Sequence, residues 1–350
     1  MLIINNCQLK QFYQECQKDK YIGVDTEFYW VGTYKPIPCL IQISNSKRIV
    51  LIDLINSNLK LKYLKLMLIN PNILKIFHSA RQDIEIFFNL FGILPKSIFD
   101  TQLGTLPLGF EQSMSLKKIC KIFLDIEINK EVDYKNWKER PLKKKQIIYA
   151  RNDVKYLIKL YLEITKKLNA INRLHWIRRI QEKLLDKKLY DEKEKNAWKK
   201  IKIKLSFKSE LENLKKITLF RETLAKNYNL PPKKILDDNF IPKLVKKNLS
   251  LEQKKKIIDK ITDPNLHTFL NKNILKKVKS DEKANHELNK NQIQKLKLAK
   301  NLLLKNAKIH NVNPLLIANK KELVELILEK NFEPLNGWKF KIFGKDYLEL

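Results

Sequence analysis

Two acidic side chains, Asp25 and Glu27, close an apolar run that begins at Tyr21. Successive side chains of a β-strand alternate between its two faces, so both carboxylates project to the same side. Two carboxylates that leave a buried strand together repel each other and are costly unless a cation compensates them. Such oxygen ligands favour Mg²⁺ or Mn²⁺ over zinc. Taken alone, the pair is a common one and is also explained by an ordinary strand end that reaches solvent.

A third acid, Asp83, follows a predicted strand that ends at His78, and it lies in the first turn of a predicted helix. The apolar face of that helix carries Ile84, Phe87 and Phe88. An acid in this position could join a metal site, but it also suits a capping residue or a partner of the helix dipole. We interpret His78 as a hydrogen-bonded strand-end residue rather than a ligand.

Tyr149 and Asp153 are four residues apart in a segment with helical periodicity. Side chains at this spacing share one face of a helix. A phenol can then hold a water molecule beside a metal ion bound by the carboxylate. The alternative is a helix with a half-buried tyrosine and an exposed aspartate.

The elements that carry these residues alternate between strand and helix in the first 150 residues. Apolar runs predict strands at 21–27, 39–44, 48–53 and 73–78, with a hairpin turn between the second and the third. Helical spacing predicts helices at 61–69 and 83–91, the latter ending at Gly92. Alternating strands and helices indicate an α/β layered sheet.

Strand signals almost vanish after residue 151, where Lys-rich segments carry Leu and Ile at helical spacing. A new helical block starts after 205–210, and the polar segment 280–291 is typical of a linker. We therefore place boundaries near 205 and 285.

The chain of 350 residues has 70 basic and 38 acidic side chains, a net charge of +32. Residues 1–150 hold 22 basic and 14 acidic side chains, a net of +8, whereas 151–350 hold 48 and 24, a net of +24. Clustered cations gain affinity for polyanions by releasing condensed counterions. A nucleic acid is therefore the leading partner.

Several other classes of protein are excluded by composition. Seven glycines, widely spread, do not form a GxGxxG or GxxxxGK[ST] loop, so no nucleotide cofactor is expected. Four scattered cysteines without a CxxC pair predict neither a zinc ribbon nor a disulfide framework. The amino end lacks a secretory signal and no run approaches membrane-spanning length, which predicts a cytoplasmic protein without a membrane partner.

Together the three motifs resemble the ribonuclease D family, a member of the DEDD exonucleases. The matching segments read VDTEFYWVGTY, FHSARQDIEIFFNLFGILPKSIFDTQL and, from Trp137, WKERPL followed by QIIYARNDVKYL. They stand in the family's order and indicate the subclass whose last motif is Y-x-x-x-D, called DEDDy. The sister subclass has histidine five residues before its last aspartate, where this chain has Ile148. The resemblance implies a ribonuclease H-like α/β exonuclease domain, with a mixed sheet flanked by helices.

Carried over residue by residue, the resemblance makes Asp25, Glu27, Asp83 and Asp153 the metal ligands and gives Tyr149 a water-orienting role. Two divalent cations, Mg²⁺ or Mn²⁺, about 3.5–4 Å apart can flank a scissile phosphate. One lowers the pKa of the attacking water, and the other neutralises charge on the leaving 3′-oxygen. A phenol with an ordinary pKa near 10 is a poor free base, so we assign Tyr149 orientation only. The expected product is a nucleoside 5′-monophosphate.

Five further residues are candidates for substrate contact, each with an alternative role in packing. Phe28 could wedge against terminal bases or belong to the core, and Trp137 and Arg140 could stack on RNA or pack. Gln102 and the neighbouring Asp100 match a family segment, although Asp100 could simply cap a helix. Thr26, between the two strand acids, completes this group.

The second half resembles HRDC domains, the small helical modules named after helicases and ribonuclease D. The predicted organisation is an exonuclease domain at 1–170, a helical linker at 171–205, a first HRDC domain at 206–280 and a second, diverged one at 286–350. Their lysine runs could be solvated helix faces. With +24 concentrated here, we also consider a clamp that guides a 3′ tail without reading sequence.

The function that the resemblance implies is a metal-dependent 3′–5′ exoribonuclease, a monomer that trims the 3′ ends of tRNA precursors. Two alternatives stay open. One is a 3′–5′ DNA exonuclease of the same superfamily, because no residue can be named that detects a 2′-hydroxyl. The other is a non-catalytic basic RNA-binding protein.

Overall fold

The computed structural model describes residues 1–56, 58–128, 136–275 and 288–350. The chain divides into two compact units. The sheet unit comprises 1–29, 38–186 and 288–350, and the helical unit comprises 30–37 and 187–287.

A single mixed sheet organises the sheet unit. Within the described residues its strands follow the order β1-β4-β3-β2-β5-β6, and their bounds are β1 Leu2–Ile3, β2 Tyr21–Tyr29, β3 Ile37–Ser44, β4 Ile49–Asp53, β5 Leu74–Phe77 and β6 Ile98–Asp100. Strand β2 runs parallel to β5 and β5 runs parallel to β6, whereas β3 and β4 form the predicted antiparallel hairpin. This mixed sheet with helices around it confirms the predicted α/β class.

The helices of this part have apolar faces that pack on the sheet, and their bounds are α1 Asn6–Cys16, α2 Lys62–Ile69, α3 Arg81–Phe91, α4 Thr101–Gly104, α5 Leu116–Leu124, α6 Lys144–Lys155, α7 Leu157–Ala170 and α8 Arg178–Leu184. Helix α3 ends at Gly92, as the sequence predicts, because its φ of +66° lies in the left-handed region that glycine adopts at low cost. No helix in the described ranges is long and apolar enough to cross a membrane.

Helices α6 and α7 lie close against strand β2. The core there includes Ile76, Val154 and Leu157, all fully buried. The hydroxyl of Ser44 on β3 donates a hydrogen bond to the carbonyl oxygen of Val154 at 2.8 Å. This bond fixes the carboxyl-terminal half of α6 over the sheet.

The close approach of α6 and α7 depends on Gly23. A Cβ atom added to Gly23 would lie 3.1 Å from the carbonyl oxygen of Val154 and 3.1 Å from Cβ of Leu157. We expect Gly23→Ala to lower the free energy of unfolding by about 1–3 kcal/mol, because the backbone of α6 cannot turn away as a side chain can. Urea unfolding of the full chain measures this loss, and an unchanged midpoint would contradict the packing.

The helical unit is built from short helices around one long helix, with bounds α9 Lys188–Asp191, α10 Lys208–Asn227, α11 Pro232–Ile235, α12 Phe240–Val245, α13 Leu251–Ile258 and α14 Pro264–Ile274. Its core includes Leu214, Ile241 and Leu270. Buried Arg221 donates hydrogen bonds to the carbonyl of Leu236 at 3.0 Å and to Asp238 at 2.6 Å. Strands are lacking in its described segment 187–275, as predicted.

The last helices belong to the sheet unit, and their bounds are α15 Lys290–Ile309, α16 Pro314–Ile317, α17 Lys320–Ile327, α18 Gly337–Lys339 and α19 Lys345–Tyr347. Asn313 donates from its backbone to the carbonyl of Leu106 at 3.0 Å and from its side chain to that of Phe110 at 2.9 Å. Arg173 donates to the carbonyl of His310 at 2.8 Å.

The largely helical second half is confirmed, whereas the predicted domain boundaries stay predictions. Residues 276–287, which include most of the predicted linker at 280–291, lie outside the described residues.

Candidate active site

Strand β2 and helix α6 bring three carboxylates together at one place on the sheet. Asp25 and Glu27 are two residues apart on β2, and Asp153 lies near the carboxyl end of α6. One oxygen atom from each of the three lies within 4.8 Å of the others. Each side chain is half-buried. Residues separated by more than 120 positions therefore meet at one point.

Asp83 lies in the first turn of α3 and is 5% exposed. Its carboxylate accepts a hydrogen bond of 2.6 Å from the hydroxyl of Thr26, the residue between the two strand acids. The charge of Asp25 acts on Asp83 and contributes to its raised pKa. Asp83 therefore borders the three clustered carboxylates without belonging to the group within 4.8 Å.

The electrostatics of this cluster are those of crowded acids. Burial raises the pKa of Asp25 well above its ordinary value, and the nearby carboxylate of Asp153 raises it further. Burial likewise raises the pKa of Asp83, with Asp25 as the second cause, while the bond from Thr26 opposes the rise. Ionised carboxylates are thus disfavoured here unless a positive charge joins them.

The donor set fits a divalent cation. All donors are carboxylate oxygens, which Mg²⁺ and Mn²⁺ prefer, and nitrogen or sulfur ligands do not belong to the group. A cation among these side chains would offset the burial and the repulsion that raise the pKa of Asp25 and of Asp83. The residues present are therefore suited to a divalent metal ion.

Tyr149 lies one helical turn before Asp153 on α6 and is half-buried. Its ring centroid lies 6.0 Å from that of Trp137, which is 2% exposed. Trp137 packs in a small core cluster with Leu40, Ala150 and other residues of the sheet and α6. The indole therefore supports the helix face that carries the tyrosine.

The guanidinium group of Arg140 is hydrogen-bonded to other groups of the protein. Its guanidinium makes two hydrogen bonds of 2.7 Å to the two carboxylate oxygens of Asp53, and it also donates to the carbonyls of Cys39 and Trp137. Burial alone would raise the pKa of Asp53, but the hydrogen bonds from Arg140 and from two backbone amides outweigh it and lower that pKa. For Trp137 and Arg140 these contacts favour the packing alternative, and a substrate contact stays a prediction.

We expect Arg140→Lys to lower the free energy of unfolding by about 1.5–3 kcal/mol, because an ammonium group cannot replace the two-pronged contact with Asp53. The lowered pKa of Asp53 means that this stabilisation is present at neutral pH and is lost as the pH falls through the folded-state pKa. Thermal unfolding at pH 7 and at pH 3 measures both effects. A variant as stable as the wild type at pH 7 would contradict the role of the ion pair.

Two of the remaining three candidates for substrate contact are hydrogen-bonded within the protein. The side-chain amide of Gln102 donates to the carbonyl of Met114 at 2.9 Å. Phe28 is half-buried near the end of β2. Thr26 is buried, and its hydroxyl is engaged with Asp83. Substrate contact by these three residues stays a prediction.

Asp100 caps helices, as its alternative interpretation predicts. Its side chain accepts from the amides of Gln102 and Leu103 at the start of α4 and from the amides of Ser79 and Ala80 just before α3. It thereby fixes the turn that leads to Asp83.

His78 contacts the hydroxyl of Thr101 through Nδ1 at 2.9 Å, in agreement with a hydrogen-bonded strand-end residue.

One polar residue near this site was missed by the sequence reasoning. Gln42 on β3 is completely buried. The signal available in the sequence is its position as the one amide within the apolar run CLIQIS.

The chain is similar in sequence to known exonucleases. Residues 2–169 match the protein family described as 3′–5′ exonuclease. The ribonuclease D of Bartonella henselae is 32% identical over 360 residues, covering 98% of this chain and 88% of the relative. That of Sphingobium indicum is 29% identical over 363 residues, covering 100% and 94%.

Two solved structures share the fold. The crystal structure of Escherichia coli RNase D, titled an exoribonuclease involved in structured RNA processing, matches with a TM-score of 0.82 at 20% identity, covering 100% of this chain and 97% of that one. The catalytic core of RRP6 from Trypanosoma brucei matches with a TM-score of 0.55 at 21% identity, covering 78% and 79%.

Proposed function

This chain belongs to the ribonuclease D family, and on that premise we propose that it shortens structured RNAs, tRNA precursors among them, from their 3′ ends. It is a metal-dependent 3′–5′ exoribonuclease, a hydrolase. The observation that carries the proposal is the cluster of Asp25, Glu27 and Asp153, whose carboxylate oxygens lie within 4.8 Å of one another where α6 meets strand β2. Each cycle would release one nucleoside 5′-monophosphate.

We propose that Asp25, Glu27, Asp83 and Asp153 hold two divalent cations, Mg²⁺ or Mn²⁺. The bound ions would activate a water molecule and neutralise the charge that develops on the leaving 3′-oxygen. The carboxylates need not gain or lose protons during the reaction, because their work is to position charge. The two-residue spacing on β2 supports this arrangement, since both acids leave the same face of the strand.

We propose that Tyr149 orients the attacking water by a hydrogen bond from its hydroxyl group. Its position one turn before Asp153 supports this role. Packing against buried Trp137 limits the freedom of the ring, and a fixed donor or acceptor needs little reorganisation during the reaction.

The basic surface supports RNA as the substrate class. Residues 151–350 carry 48 basic and 24 acidic side chains, and phosphate contacts by such residues add affinity without reading sequence. In the run of three lysines at 254–256, Lys255 and Lys256 are exposed, whereas Lys254 is 6% exposed. We propose that exposed cations of this kind form the clamp on the 3′ tail.

Digestion of matched RNA and DNA oligonucleotides, with Mn²⁺ and with EDTA, tests the proposed function. Stepwise shortening of 3′-tailed RNA with Mn²⁺, release of nucleoside 5′-monophosphates and no cleavage in EDTA are the expected results. Faster digestion of DNA would favour the DNA exonuclease, and binding without cleavage would favour the non-catalytic RNA-binding protein. A 3′-phosphate block that leaves the rate unchanged would contradict the 3′ polarity.

Four finer statements about this protein stay predictions. They are the choice of tRNA precursors among RNAs, the monomeric state, the lack of a nucleotide cofactor, and the cytoplasmic location.

A further inference from the structure

Gln42 is 0% exposed, yet neither its Nε2 nor its Oε1 has a hydrogen-bond partner among the described residues. A buried amide without partners destabilises the folded state, because both atoms lose the hydrogen bonds that water gives them in the unfolded chain. An apolar side chain of similar size would avoid this loss. A buried amide of this kind therefore calls for a function.

The side chain of Gln42 lies on the face of the sheet that α6 covers. Side chains alternate along β3, so Gln42 shares a face with Ser44, whose hydroxyl bonds the carbonyl of Val154 on α6. On one side, Gln42 pairs with Leu51 of β4. Leu51 belongs to the apolar cluster that contains Ala150 of α6, so this side offers an apolar environment.

On the other side of Gln42 lies β2 with the metal-site acids. The connection between β2 and β3, residues 30–36, is too short for a parallel crossover, so the two neighbouring strands run antiparallel. Gly23 faces Ser44, because a Cβ on Gly23 would lie 2.5 Å from the Ser44 hydroxyl oxygen. Two residues along each strand from this pair, Asp25 faces Gln42. Facing side chains of antiparallel strands have Cβ atoms roughly 4.5–5.5 Å apart, within reach of a glutamine amide.

We propose that Gln42 is a positioning residue of the metal site, whose amide turns to donate a hydrogen bond to the carboxylate of Asp25 when a cation is bound and so fixes the orientation of that carboxylate. The inference deepens the proposed function and rests on it, since that function makes Asp25 a ligand. Carboxylates that bind metal ions are themselves held by hydrogen bonds, and loss of such a partner weakens metal binding by about 10- to 100-fold. The bond also gives the buried amide a partner.

Calorimetric titration of the full-length protein with Mn²⁺, together with thermal unfolding of the metal-free protein, tests the inference. Gln42→Met keeps the volume and removes both amide atoms, and we expect its Kd for Mn²⁺ to rise about 10-fold. Its metal-free melting temperature should equal or exceed that of the wild type, because two unpartnered polar atoms leave the core. A Kd for Mn²⁺ within about twofold of the wild-type value would overturn the inference.

Two comparisons separate the proposed role from general damage. Leu9→Ala truncates a fully buried side chain of α1, a helix that carries none of the proposed ligands, so it should lower the melting temperature and leave the Kd for Mn²⁺ unchanged. If Gln42→Met fails to fold, Gln42→Leu is measured in the same way, and a wild-type Kd in that variant would equally overturn the inference.

A further variant, Asp25→Asn, separates this inference from the proposed function. If Asp25→Asn binds Mn²⁺ as the wild type does, the proposed ligand set fails. If Asp25→Asn loses Mn²⁺ binding while Gln42→Met keeps it, only the role of Gln42 fails.

Discussion

Replacement of Asp25 by asparagine is expected to lower kcat for the removal of 3′ nucleotides by at least about 10³-fold at saturating Mn²⁺. The side chain keeps its size, but the cluster with Glu27 and Asp153 loses a negative charge and an oxygen ligand. A mispositioned or missing cation removes both activation of water and neutralisation of the leaving oxygen, so the full contribution of that cation is lost. Single-turnover digestion of a 3′-tailed RNA measures the change.

The same variant should fold and bind RNA well. Because an asparagine is neutral, it removes both the burial of a charge and the repulsion by Asp153 that raise the pKa of Asp25, so the metal-free protein should be at least as stable as the wild type. Asp125→Asn is a suitable control, since Asp125 is an exposed acid of the sheet unit whose ion-pair partner is Lys121. The control should retain wild-type turnover. Residual cleavage by Asp25→Asn above a few per cent would refute the assignment of Asp25 as a ligand.

The elements that carry the site could be predicted because their signals are local. Strand β2 begins with an apolar run that closes with Asp25 and Glu27, and α6 repeats its pattern at helical spacing through Asp153. Both patterns depend only on neighbours in the sequence. Their meeting point was predicted from a resemblance rather than from spacing, since nothing local connects residues more than 120 positions apart.

The roles of Trp137 and Arg140 could not be decided from the sequence, because burial is a property of the folded chain. A tryptophan before a helix serves equally as a stacking surface or as a core residue. Only the assembled sheet presents Leu40 to the indole and Asp53 to the guanidinium. The contact with Asp53 joins residues far apart in sequence, and no periodic pattern predicts it.

The burial of a charged side chain likewise could not be predicted from a sequence pattern. Lys75 lies in the predicted strand at 73–78, yet it is 0% exposed and its ammonium donates to the carbonyls of Asn70 and Ile73. Burial, together with the charge of Lys96, lowers the pKa of Lys75 to about 7. A lysine in a strand is ordinarily expected on the face toward solvent. The hydrogen bonds that compensate the burial of this lysine are seen only in the folded structure.

Replacement of Tyr149 by phenylalanine is expected to lower kcat by about 10²-fold while changing the Kd for Mn²⁺ by less than about threefold. The ring keeps its packing against Trp137, so the loss is confined to the hydroxyl group. Removal of one fixed hydrogen-bonding group at a reacting centre costs about 10²- to 10³-fold in kcat. The carboxylates that bind the cations are untouched.

A matched control for this variant is Tyr156→Phe, which removes a hydroxyl from another half-buried tyrosine seven residues further along the chain. It should leave both kcat and the Kd for Mn²⁺ unchanged. If the hydroxyl of Tyr149 orients water rather than accepting its proton, the pH dependence of the residual activity should keep its wild-type shape, because no titrating group has been lost from the reaction. A Tyr149→Phe variant with the wild-type rate would remove the tyrosine from the mechanism. A variant with weakened Mn²⁺ binding and an unchanged kcat would instead assign the hydroxyl to the support of Asp153.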